Sequence, residues 1–551
     1  MTPRMITTPV LVVGGGPAGL TTALELAHHG VASVAVEPRA VVDHLRPRAK
    51  TTSGRSMELF RRTGVAQEIR RRAPIPVQYS HEIRFCTTVA GLEITRLTST
   101  LGLELVDSPL TSEAAQQVTQ PVVEEALRAI IARQPLVTTL FGWRADSINL
   151  NAAHRRATVV DPSGTTQSVG FEYLIGADGS RSVVREALGA QYVGAPGGRP
   201  NVNITFRSKG LRGLLADTPA VHHWVLNPAA PGVVGPLDLE GTWWAIATGT
   251  ASIADDAAAA GLVRALVGAD IDIEIIATDP WQARLLLSNS YGRDRTYLVG
   301  DAAHQNPPWG GHGFNTGVGD AVNLAWKLAA VHRGWAPPEL LDSYETERRP
   351  VAGQTIELAA TNMKALPIEL GDSAIMAGGP VGQSAREAAA TAIKLAKRSE
   401  FYSLGLVLGY GYGPNSAAQS PTTEAYRPEV RPGNRLPHQR SADGRSLFDL
   451  LGPEFTVLGP AELTAPLIEA AAELGVPLWH VDPEEHGFAP VDEPNAVLVR
   501  PDQHIAWVGR PIITDDDLPA DGDARAVIAV ARLGFVAPTH RFSATETATP
   551  A

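Results

Sequence analysis

Short apolar runs and amphipathic stretches alternate along the first part of this chain. Residues 9–13 (PVLVV) are apolar and largely β-branched, which is typical of a buried parallel strand. Apolar residues then recur at helical spacing between Leu20 and Ala27, and a second strand-like run ends on Glu37. This order predicts a strand–helix–strand unit of an α/β fold.

A glycine-rich turn (GGGPAG) joins the first predicted strand to the helix. Glycines in this GxGxxG spacing let the backbone approach a pyrophosphate, and the helix N-terminus faces its charge. Glu37 follows at the distance where an acid accepts hydrogen bonds from ribose hydroxyls. We therefore predict a dinucleotide site, although the motif alone does not separate FAD from NAD. The predicted contacts in the turn are Gly14, Gly16, Pro17, Ala18 and Gly19.

Two later strand-like runs end in Asp-Gly or Gly-Asp pairs. Residues 171–176 lead into Asp178, and residues 295–299 lead into Asp301, whose carboxylate at a strand end can hold a ribityl hydroxyl. The stretch 310–317 contains four glycines, which allow a flat ring to lie against the main chain. The helix that follows directs its positive end at an anion on that ring, and a reduced flavin carries such an anion.

These three motifs, in this order, resemble those of single-component (class A) FAD-dependent aromatic hydroxylases, the relatives of para-hydroxybenzoate hydroxylase and phenol hydroxylase. The resemblance implies tight, non-covalent FAD, with Glu37 at the adenosine ribose. Pro38 stands where relatives commonly carry arginine, and Arg39 is the expected substitute. Pro308 would lie beside the reactive carbon of the flavin. The other cofactor contacts that the resemblance implies are Arg46, Arg48, Gln120, Asp178, Asp301, Gly311, Gly313, Phe314 and Asn315.

The region 190–285 has short strand-like runs between Gly, Pro and Asn, as in an antiparallel sheet. In the family such a sheet forms most of the substrate pocket, and Trp224 and Trp243 are the predicted substrate contacts. Adjacent strand residues face opposite sides, so at most one of Trp243 and Trp244 lines a cavity, and core packing is an equal alternative for each tryptophan. His222 and Pro308 are the candidate catalytic residues, while the group that accepts a phenol proton is not identified.

Composition changes beyond about residue 400, where a Gly-, Pro-, Ser- and Thr-rich stretch precedes alternating strand and helix patterns. This part resembles the thioredoxin-like C-terminal domain of phenol hydroxylases and aromatic-polyketide hydroxylases. Because Cys86 is the single cysteine, a dithiol redox role is excluded. The predicted fold is α/β, with a Rossmann-like FAD-binding domain of the para-hydroxybenzoate hydroxylase type (1–78, 112–189 and 286–400), an antiparallel-sheet substrate domain (79–111 and 190–285) and a linker with the thioredoxin-like domain (401–551).

The resemblance implies that NADPH or NADH reduces the flavin, that O2 adds to form a C4a-hydroperoxide, and that a phenolic or polycyclic aromatic substrate is hydroxylated. Insertion of oxygen at a ketone stays open, as do a flavin dehydrogenase or reductase and an FAD protein that shields or carries a reactive intermediate. The formal net charge of −11 makes nucleic acid a poor partner, and no run suits a membrane span or signal peptide. We expect a cytoplasmic protein without a metal site; a homodimer is left open.

A cluster of basic residues in the stretch 61–72 has two interpretations. It could attract the phosphate of NADPH, because nothing else in the chain resembles a second nucleotide-binding fold. A solvated helix face is the more common meaning of such a run. The cluster consists of Arg61, Arg62, Arg70, Arg71 and Arg72.

Overall fold

The computed structural model describes residues 5–151, 154–365, 373–413, 423–511 and 523–534. These residues form two compact units. The first contains the described parts of 1–325, 344–408 and 421–427, and the second contains those of 326–343, 409–420 and 428–551. Within the described ranges, no helix is long and apolar enough to span a membrane, and no cluster of three side chains suits a metal ion.

The strands, in chain order, are β1 (Ile6–Val13), β2 (Ser33–Glu37), β3 (Thr51–Thr52), β4 (Ile83–Cys86), β5 (Glu93–Leu97), β6 (Gln116–Gln117), β7 (Val137–Phe141), β8 (Arg144–Asn149), β9 (Arg156–Val160), β10 (Thr166–Gly176), β11 (Tyr192–Arg207), β12 (His222–Val225), β13 (Gly232–Pro236), β14 (Thr242–Thr248), β15 (Glu274–Ser288), β16 (Gly292–Arg293), β17 (Thr296–Leu298), β18 (His304–Gln305), β19 (Phe455–Leu458), β20 (Leu478–Val481), β21 (Ala496–Val499) and β22 (Ile505–Gly509).

The α-helices are α1 (Pro17–His28), α2 (Gly54–Arg61), α3 (Val65–Arg72), α4 (Gln120–Ile131), α5 (Val183–Leu188), α6 (Lys209–Leu214), α7 (Asp256–Val267), α8 (Gly313–His332), α9 (Ser343–Ala365), α10 (Gly379–Ala396), α11 (Arg398–Phe401), α12 (Leu404–Val407), α13 (Ala461–Glu473) and α14 (Ala524–Ala531).

The first sheet has the strand order β16-β17-β10-β1-β2-β7, with β8 and β9 attached beside β10. Strands β17, β10, β1, β2 and β7 run parallel, and residues 10–13 of β1 and all of β2 are buried. The chain leaves β1 toward β2 on one side, while β10 pairs on the other. This reversal creates the crevice at the carboxyl ends of the strands where doubly wound sheets bind nucleotides.

The second sheet has the order β18-β15-β11-β14-β13-β12-β4-β5 and is antiparallel except where β12 pairs with β4. One face packs on α6 and α7 through an apolar cluster that includes Phe206, Leu211, Val263 and Leu266. The first and second sheets belong to one compact unit, although the sequence places them in separate domains. Most strands of the second sheet come from the predicted segments 79–111 and 190–285, but β15 extends to Ser288 and the edge strand β18 lies outside both segments.

The second unit contains a four-stranded mixed sheet in the order β20-β19-β21-β22. Strands β19 and β20 are parallel, whereas β21 runs antiparallel to both of its neighbours. Its apolar core includes Phe455, Leu467 and Ile528 from β19, α13 and α14, and it lies in the part of the chain for which a thioredoxin-like domain is predicted. Trp326 and Trp335 pack on Phe455, so residues 326–343, which the sequence assigns to the FAD-binding domain, belong here.

Candidate functional site

The glycine-rich turn occupies the crevice at the end of β1. Gly14 has φ +112°, and a Cβ there would lie 2.1 Å from the carbonyl oxygen of Ala177. A Cβ at Gly19 would lie 2.0 Å from the oxygen of Gly14, so both positions require glycine. Gly16 differs, because a Cβ there would meet no atom within 4 Å. This open space lies at the start of α1, where Pro17 is the first residue and unpaired N–H groups favour an anion.

Glu37 closes the far side of this crevice. Its Oε2 accepts a hydrogen bond from the Gly15 amide at 2.7 Å, and its Oε1 accepts from the amide (3.0 Å) and Nε (2.6 Å) of Arg39. Arg39 also pairs with Glu124 at 3.0 Å. A carboxylate has about four acceptor positions, so one remains for a ribose hydroxyl. Arg39 thus contacts Glu37 directly, as expected for a residue that substitutes for the family arginine.

Two aspartates at strand ends present carboxylate oxygens without a hydrogen-bond donor. Asp178 Oδ2 accepts from the amides of Val183 (2.7 Å) and Val184 (3.3 Å), but its Oδ1 is buried and lacks a partner among the described residues. Asp301 is accessible to solvent, yet surrounding protein desolvates its carboxyl and raises its pKa, against the charges of His304 and Arg48. Desolvation likewise raises the pKa of Asp178. Both groups suit a bound molecule that donates hydroxyl or amide hydrogens.

A buried charge network holds the turn that carries Asp301. Asp320 on α8 accepts hydrogen bonds from the Gly300 amide (3.2 Å), from Arg348 Nε (2.9 Å) and at 2.8 Å from His304 Nε2. Burial alone would lower the pKa of His304, but the charge and hydrogen bond of Asp320 raise it. Sequence patterns did not identify Asp320, because its partners are distant in the chain. Because Asp320 is fully buried, it does not contact a ligand, and its hydrogen bonds position the turn that carries Asp301.

The glycine-rich loop before α8 is tied to β3 and α2 by Asn315. Its Oδ1 accepts from the Ser53 amide (3.0 Å) and Ser56 Oγ (2.7 Å), and its Nδ2 donates to the carbonyls of Thr51 (3.1 Å) and Gly311 (2.7 Å). The side chain of Asn315 therefore uses its hydrogen-bonding capacity within the protein. It positions the loop, and any contact with a flavin ring comes from the main chain around it.

The remaining predicted cofactor residues lie on loops and helix starts of the first unit. Pro308 is exposed, and a Cβ at Gly313 would meet no atom within 4 Å, so the loop presents an open surface there. Phe314 packs partly against the helical core of the first unit. Gln120, at the start of α4, donates to Glu124 Oε1 at 2.9 Å. Arg46 is largely exposed, 3.7 Å from Asp279, and Arg48 acts electrostatically on Asp301.

The pleat of the second sheet decides which tryptophans face the FAD-binding loops. The register pairs Thr205 with Trp244 and Trp224 with Val233, which places Trp244 and Trp224 on one face with His222. His222 contacts the Trp244 ring edge-on at 5.2 Å. The indole N–H groups of Trp224 and Trp244 are buried and have no acceptor among the described residues. The ring of Trp224 packs against Phe401 at 6.1 Å within an apolar cluster, so Trp244 is the better candidate for contact with a ligand.

Trp243 belongs to the opposite face, and the prediction that it contacts substrate is corrected. It packs in the apolar cluster with Phe206 and Val263, and its indole N–H donates to the Ser208 carbonyl at 3.1 Å. The choice between Trp243 and Trp244 depends on strand register by one residue, which composition cannot reveal. Trp244 lies on the face opposite to Trp243, and the substrate contact predicted for Trp224 stays a prediction.

Lys50, which sequence patterns did not single out, approaches the same face from the loop before β3. Its Nζ lies 4.4 Å from the centre of a Trp244 ring and donates to the Arg48 carbonyl at 3.0 Å. No carboxylate of the described residues lies within ion-pair distance of Lys50, and burial lowers the pKa of its ammonium group to about 8. Burial, and secondarily the charge of Lys50, lowers the pKa of His222 to about 3.

The arginine cluster of α2 and α3 is committed to neighbouring groups. Arg61 and Arg70 pair with Glu113, and Arg62 pairs with Glu25. Arg71 and Arg72 bind Glu68 at 2.6 Å each, and their hydrogen bonds lower the pKa of that carboxyl to about 2. The structure favours the solvated, ion-paired interpretation of this cluster over a phosphate site.

Taken together, the crevice fits FAD. It has open space at a helix N-terminus for a diphosphate, an acid at the end of β2 for a ribose, and an unpartnered carboxylate at Asp301 for hydroxyls. The loop around Gly313 leaves room for a flat ring. These features together suit a ligand that carries hydroxyls, a diphosphate and a planar group.

Comparison with known proteins gives two domain matches and several relatives. A family model described as "FAD binding domain" matches residues 7–359, and one described as "Aromatic-ring hydroxylase, C-terminal" matches residues 429–526. The chain is 32% identical over 569 residues to 4-methyl-5-nitrocatechol 5-monooxygenase from Burkholderia sp., covering 96% of this chain and 98% of the relative.

Solved structures of similar fold cover almost the whole chain. The rebeccamycin biosynthetic enzyme RebC with reduced flavin has a TM-score of 0.84 and 33% identity, covering 96% of this chain and 99% of that one. The flavin-dependent monooxygenase PieE in complex with FAD and substrate has a TM-score of 0.82 and 29% identity, with coverage of 96% and 99%.

Proposed function

Because this chain belongs to the family of FAD-dependent aromatic hydroxylases, we propose that it uses NADPH or NADH and O2 to hydroxylate a phenolic or polycyclic aromatic substrate. One contact carries the proposal. Lys50, from the loop that leads into the FAD-binding crevice, lies 4.4 Å from Trp244 on the second sheet. The ring of Trp244, whose buried indole N–H has no acceptor among the described residues, therefore adjoins this loop and offers a surface to an aromatic substrate.

The residues of this chain bind and orient the reactants. The turn at Gly16 and the start of α1 would hold the diphosphate, Glu37 a ribose and Asp301 the ribityl chain. When bound and reduced, FAD supplies the electrons and the activation of oxygen. Pro308 and the main chain at Gly313 would border the flavin ring, on a loop whose shape Asn315 fixes. The protein's contribution is thus position, charge and exclusion of water.

His222 is a poor general base in this arrangement. Burial, together with the charge of Lys50, lowers the pKa of its imidazole to about 3, so it is neutral and weakly basic near pH 7. Efficient proton transfer needs a group whose pKa lies near the working pH. We assign His222 a role in packing against the substrate ring beside Trp244, rather than in accepting the phenol proton.

Anaerobic reduction tests the proposed reaction. The FAD-loaded protein is mixed with NADPH or NADH, with and without a panel of phenols, and loss of oxidised-flavin absorbance is followed before air is admitted. We expect at least one phenol to accelerate reduction, and air to restore the colour with formation of an oxygenated product. The comparison of the two nicotinamides assigns the reductant.

The same experiment discriminates against the alternatives. Reduction with restored colour but without oxygenated product would indicate a dehydrogenase or reductase. Flavin that stays oxidised with both nicotinamides, in the presence of phenols that bind, would favour a protein that shields or carries a reactive intermediate. Binding of each phenol is measured separately by its perturbation of the flavin spectrum, so that absence of reaction is distinguished from absence of binding.

A further inference from the structure

We infer that Lys50 is the anion-binding group of the substrate pocket and that the substrate is held as a phenolate by its ammonium group. The inference rests on the proposed function and names the chemical form in which the substrate binds. It concerns a residue outside the dinucleotide motifs.

The ammonium group of Lys50 lies on the ligand-facing side of the second sheet, with spare hydrogen-bonding capacity. Nζ donates one hydrogen bond, to the Arg48 carbonyl, which leaves two N–H groups. It lies 4.4 Å from the Trp244 ring centre, and the buried indole N–H of Trp244 has no acceptor among the described residues. A single oxygen anion placed here would accept hydrogen bonds that the protein does not otherwise satisfy.

The charges that face Lys50 leave its ammonium uncompensated. His222, across the Trp244 ring, is neutral near pH 7, and Arg48 on the same loop is cationic. No carboxylate in the described ranges is within ion-pair distance of Nζ. The Lys50 side chain is half-buried and its ammonium group is partly desolvated by the surrounding protein, so an anionic ligand that supplies the counter-charge would be favoured there. The missing counter-charge is therefore expected on the substrate.

The chemistry of lysine selects a phenolate among the aromatic anions. A carboxylate is best matched by the bidentate fork of arginine, whereas a phenolate offers one oxygen to a compact point charge. Burial lowers the pKa of Lys50 to about 8, so a neutral amine is available near physiological pH. That amine accepts the proton as the phenol O–H bond breaks and an N–H bond forms, leaving an ammonium–phenolate pair. The ring of a phenolate is more nucleophilic toward an electrophilic oxygen than the ring of the neutral phenol.

The backbone of Lys50 is anchored independently of its side chain. Its carbonyl accepts a hydrogen bond from the Val118 amide at 2.9 Å, and Gln120 N donates to the Ala49 carbonyl at 2.9 Å. Substitution of the side chain is therefore expected to leave this loop in place. Lys50→Met keeps most of the aliphatic length without the charge, and Lys50→Arg keeps a charge that does not titrate.

The test uses oxidised, FAD-loaded protein without reductant, so that no turnover occurs. The probe is 4-nitrophenol, whose neutral and ionised forms absorb differently, titrated about one pH unit below its own pKa; nitrobenzene is the matched ring without a hydroxyl group. We expect wild type to bind the probe as the phenolate. Lys50→Met should bind 4-nitrophenol about 10-fold more weakly than wild type and in its neutral form, whereas Lys50→Arg should still bind it as the phenolate. Nitrobenzene should bind wild type and Lys50→Met with equal affinity.

A pH profile provides a readout that a structural role would not move. In wild type the affinity for the phenolate should fall as the pH rises through about 8, where Lys50 loses its proton, and Lys50→Arg should lack this fall. Flavin content and circular dichroism establish that each variant is folded. Should Lys50→Met lose FAD, the wild-type profile still decides the question.

The inference is overturned if Lys50→Met binds 4-nitrophenol with the same affinity as wild type and in the same ionised form. It is also overturned if wild type binds 4-nitrophenol no more tightly than nitrobenzene, or binds neither compound. Failure of the proposed function is distinct. If wild type ionises the probe but no phenol is oxygenated, the hydroxylase proposal fails and the assignment of Lys50 stands. If Lys50→Met hydroxylates phenols as well as wild type does, the assignment fails and the hydroxylase stands.

Discussion

Replacing Lys50 by methionine should stabilise the protein at neutral pH. Burial lowers the pKa of its ammonium group from the ordinary 10.5 to about 8. At about 1.4 kcal/mol for each pH unit, this fall corresponds to an upper limit of roughly 3 kcal/mol of destabilisation. The side chain is only partly buried, which reduces the figure, and the attraction to the Trp244 ring offsets about 1 kcal/mol. We expect a net gain of about 1 kcal/mol for Lys50→Met.

The sign of the pH dependence follows from the lowered pKa. Unfolding of wild type takes up a proton between about pH 8 and the ordinary pKa of 10.5, so wild type becomes relatively more stable as the pH rises through this range. The advantage of Lys50→Met is therefore full below about pH 8 and fades by about pH 10.5. A residue retained only for structure would show the opposite sign at neutral pH, because its removal would cost stability.

Thermal unfolding of the FAD-saturated proteins at pH 7 and pH 10 measures this difference. We expect Lys50→Met to melt about 1–3 °C above wild type at pH 7, with a smaller gap at pH 10. Lys50→Arg, which keeps its charge at both pH values, is the matched control and should show no gain. A lower Tm for Lys50→Met at pH 7, or an equal gap at both pH values, would refute the reasoning.

Three further predictions address the cofactor crevice, the sheet and the buried network. Asp301→Ala should weaken FAD binding about 10–100-fold, through loss of a charged hydrogen-bond acceptor, and more than Asp178→Ala does; equal flavin content after gel filtration would contradict this. Trp244→Leu should weaken phenol binding about 10-fold in a spectral titration, whereas Trp243→Leu should lower the free energy of unfolding by about 2 kcal/mol and leave phenol binding intact. The reverse pattern would disprove the assignment of Trp244 to the ligand-facing side of the sheet and of Trp243 to the core. Asp320 raises the pKa of His304, so the ion pair between them stabilises the folded protein below about pH 6.5, and this stability is lost as the pH rises through the pKa of the folded state. The difference in Tm between wild type and His304→Gln should therefore shrink from pH 5.5 to pH 8.5. A constant difference would contradict this prediction.

Much of the fold was predictable because each element carries a local signal. The apolar run at 9–13 and the GxGxxG turn lie within β1 and at its end, and the run at 242–248 coincides with β14. Strand order was not predictable from such local patterns. β10 pairs with β1 across more than 150 residues, and β4 joins β12 from a separate segment. Pairings of this kind depend on packing of whole faces, which local periodicity does not encode.

The candidate site was predictable where a motif fixes the backbone, and less so where side chains meet across the sheets. Gly14 and Asp301 were identified because their roles depend on a turn at the end of a strand. Lys50 was not, since its partner Trp244 is nearly two hundred residues away and only the sheet register shows which face that ring occupies. The predicted place of Asn315 beside the ring stays a prediction, and the structure adds that its side chain holds the loop together through four hydrogen bonds, which no local pattern reveals.

The distribution of satisfied and unsatisfied polar groups separates structure from function in the first unit. The arginines of α2 and α3 form ion pairs with neighbouring carboxylates, and the buried Asp320 pairs with Arg348. These charges stabilise the fold and do not need a ligand to compensate them. By contrast, the carboxylate of Asp178, the indole N–H of Trp244 and the ammonium of Lys50 each lack a full complement of partners, although burying them costs free energy. Where the rest of a sequence satisfies its polar groups, the few that stay incompletely paired are expected at positions where a ligand pairs with them. Asp178 lies at the end of β10 in the first sheet and Trp244 lies in the second, so we expect the bound cofactor and substrate to contact both sheets.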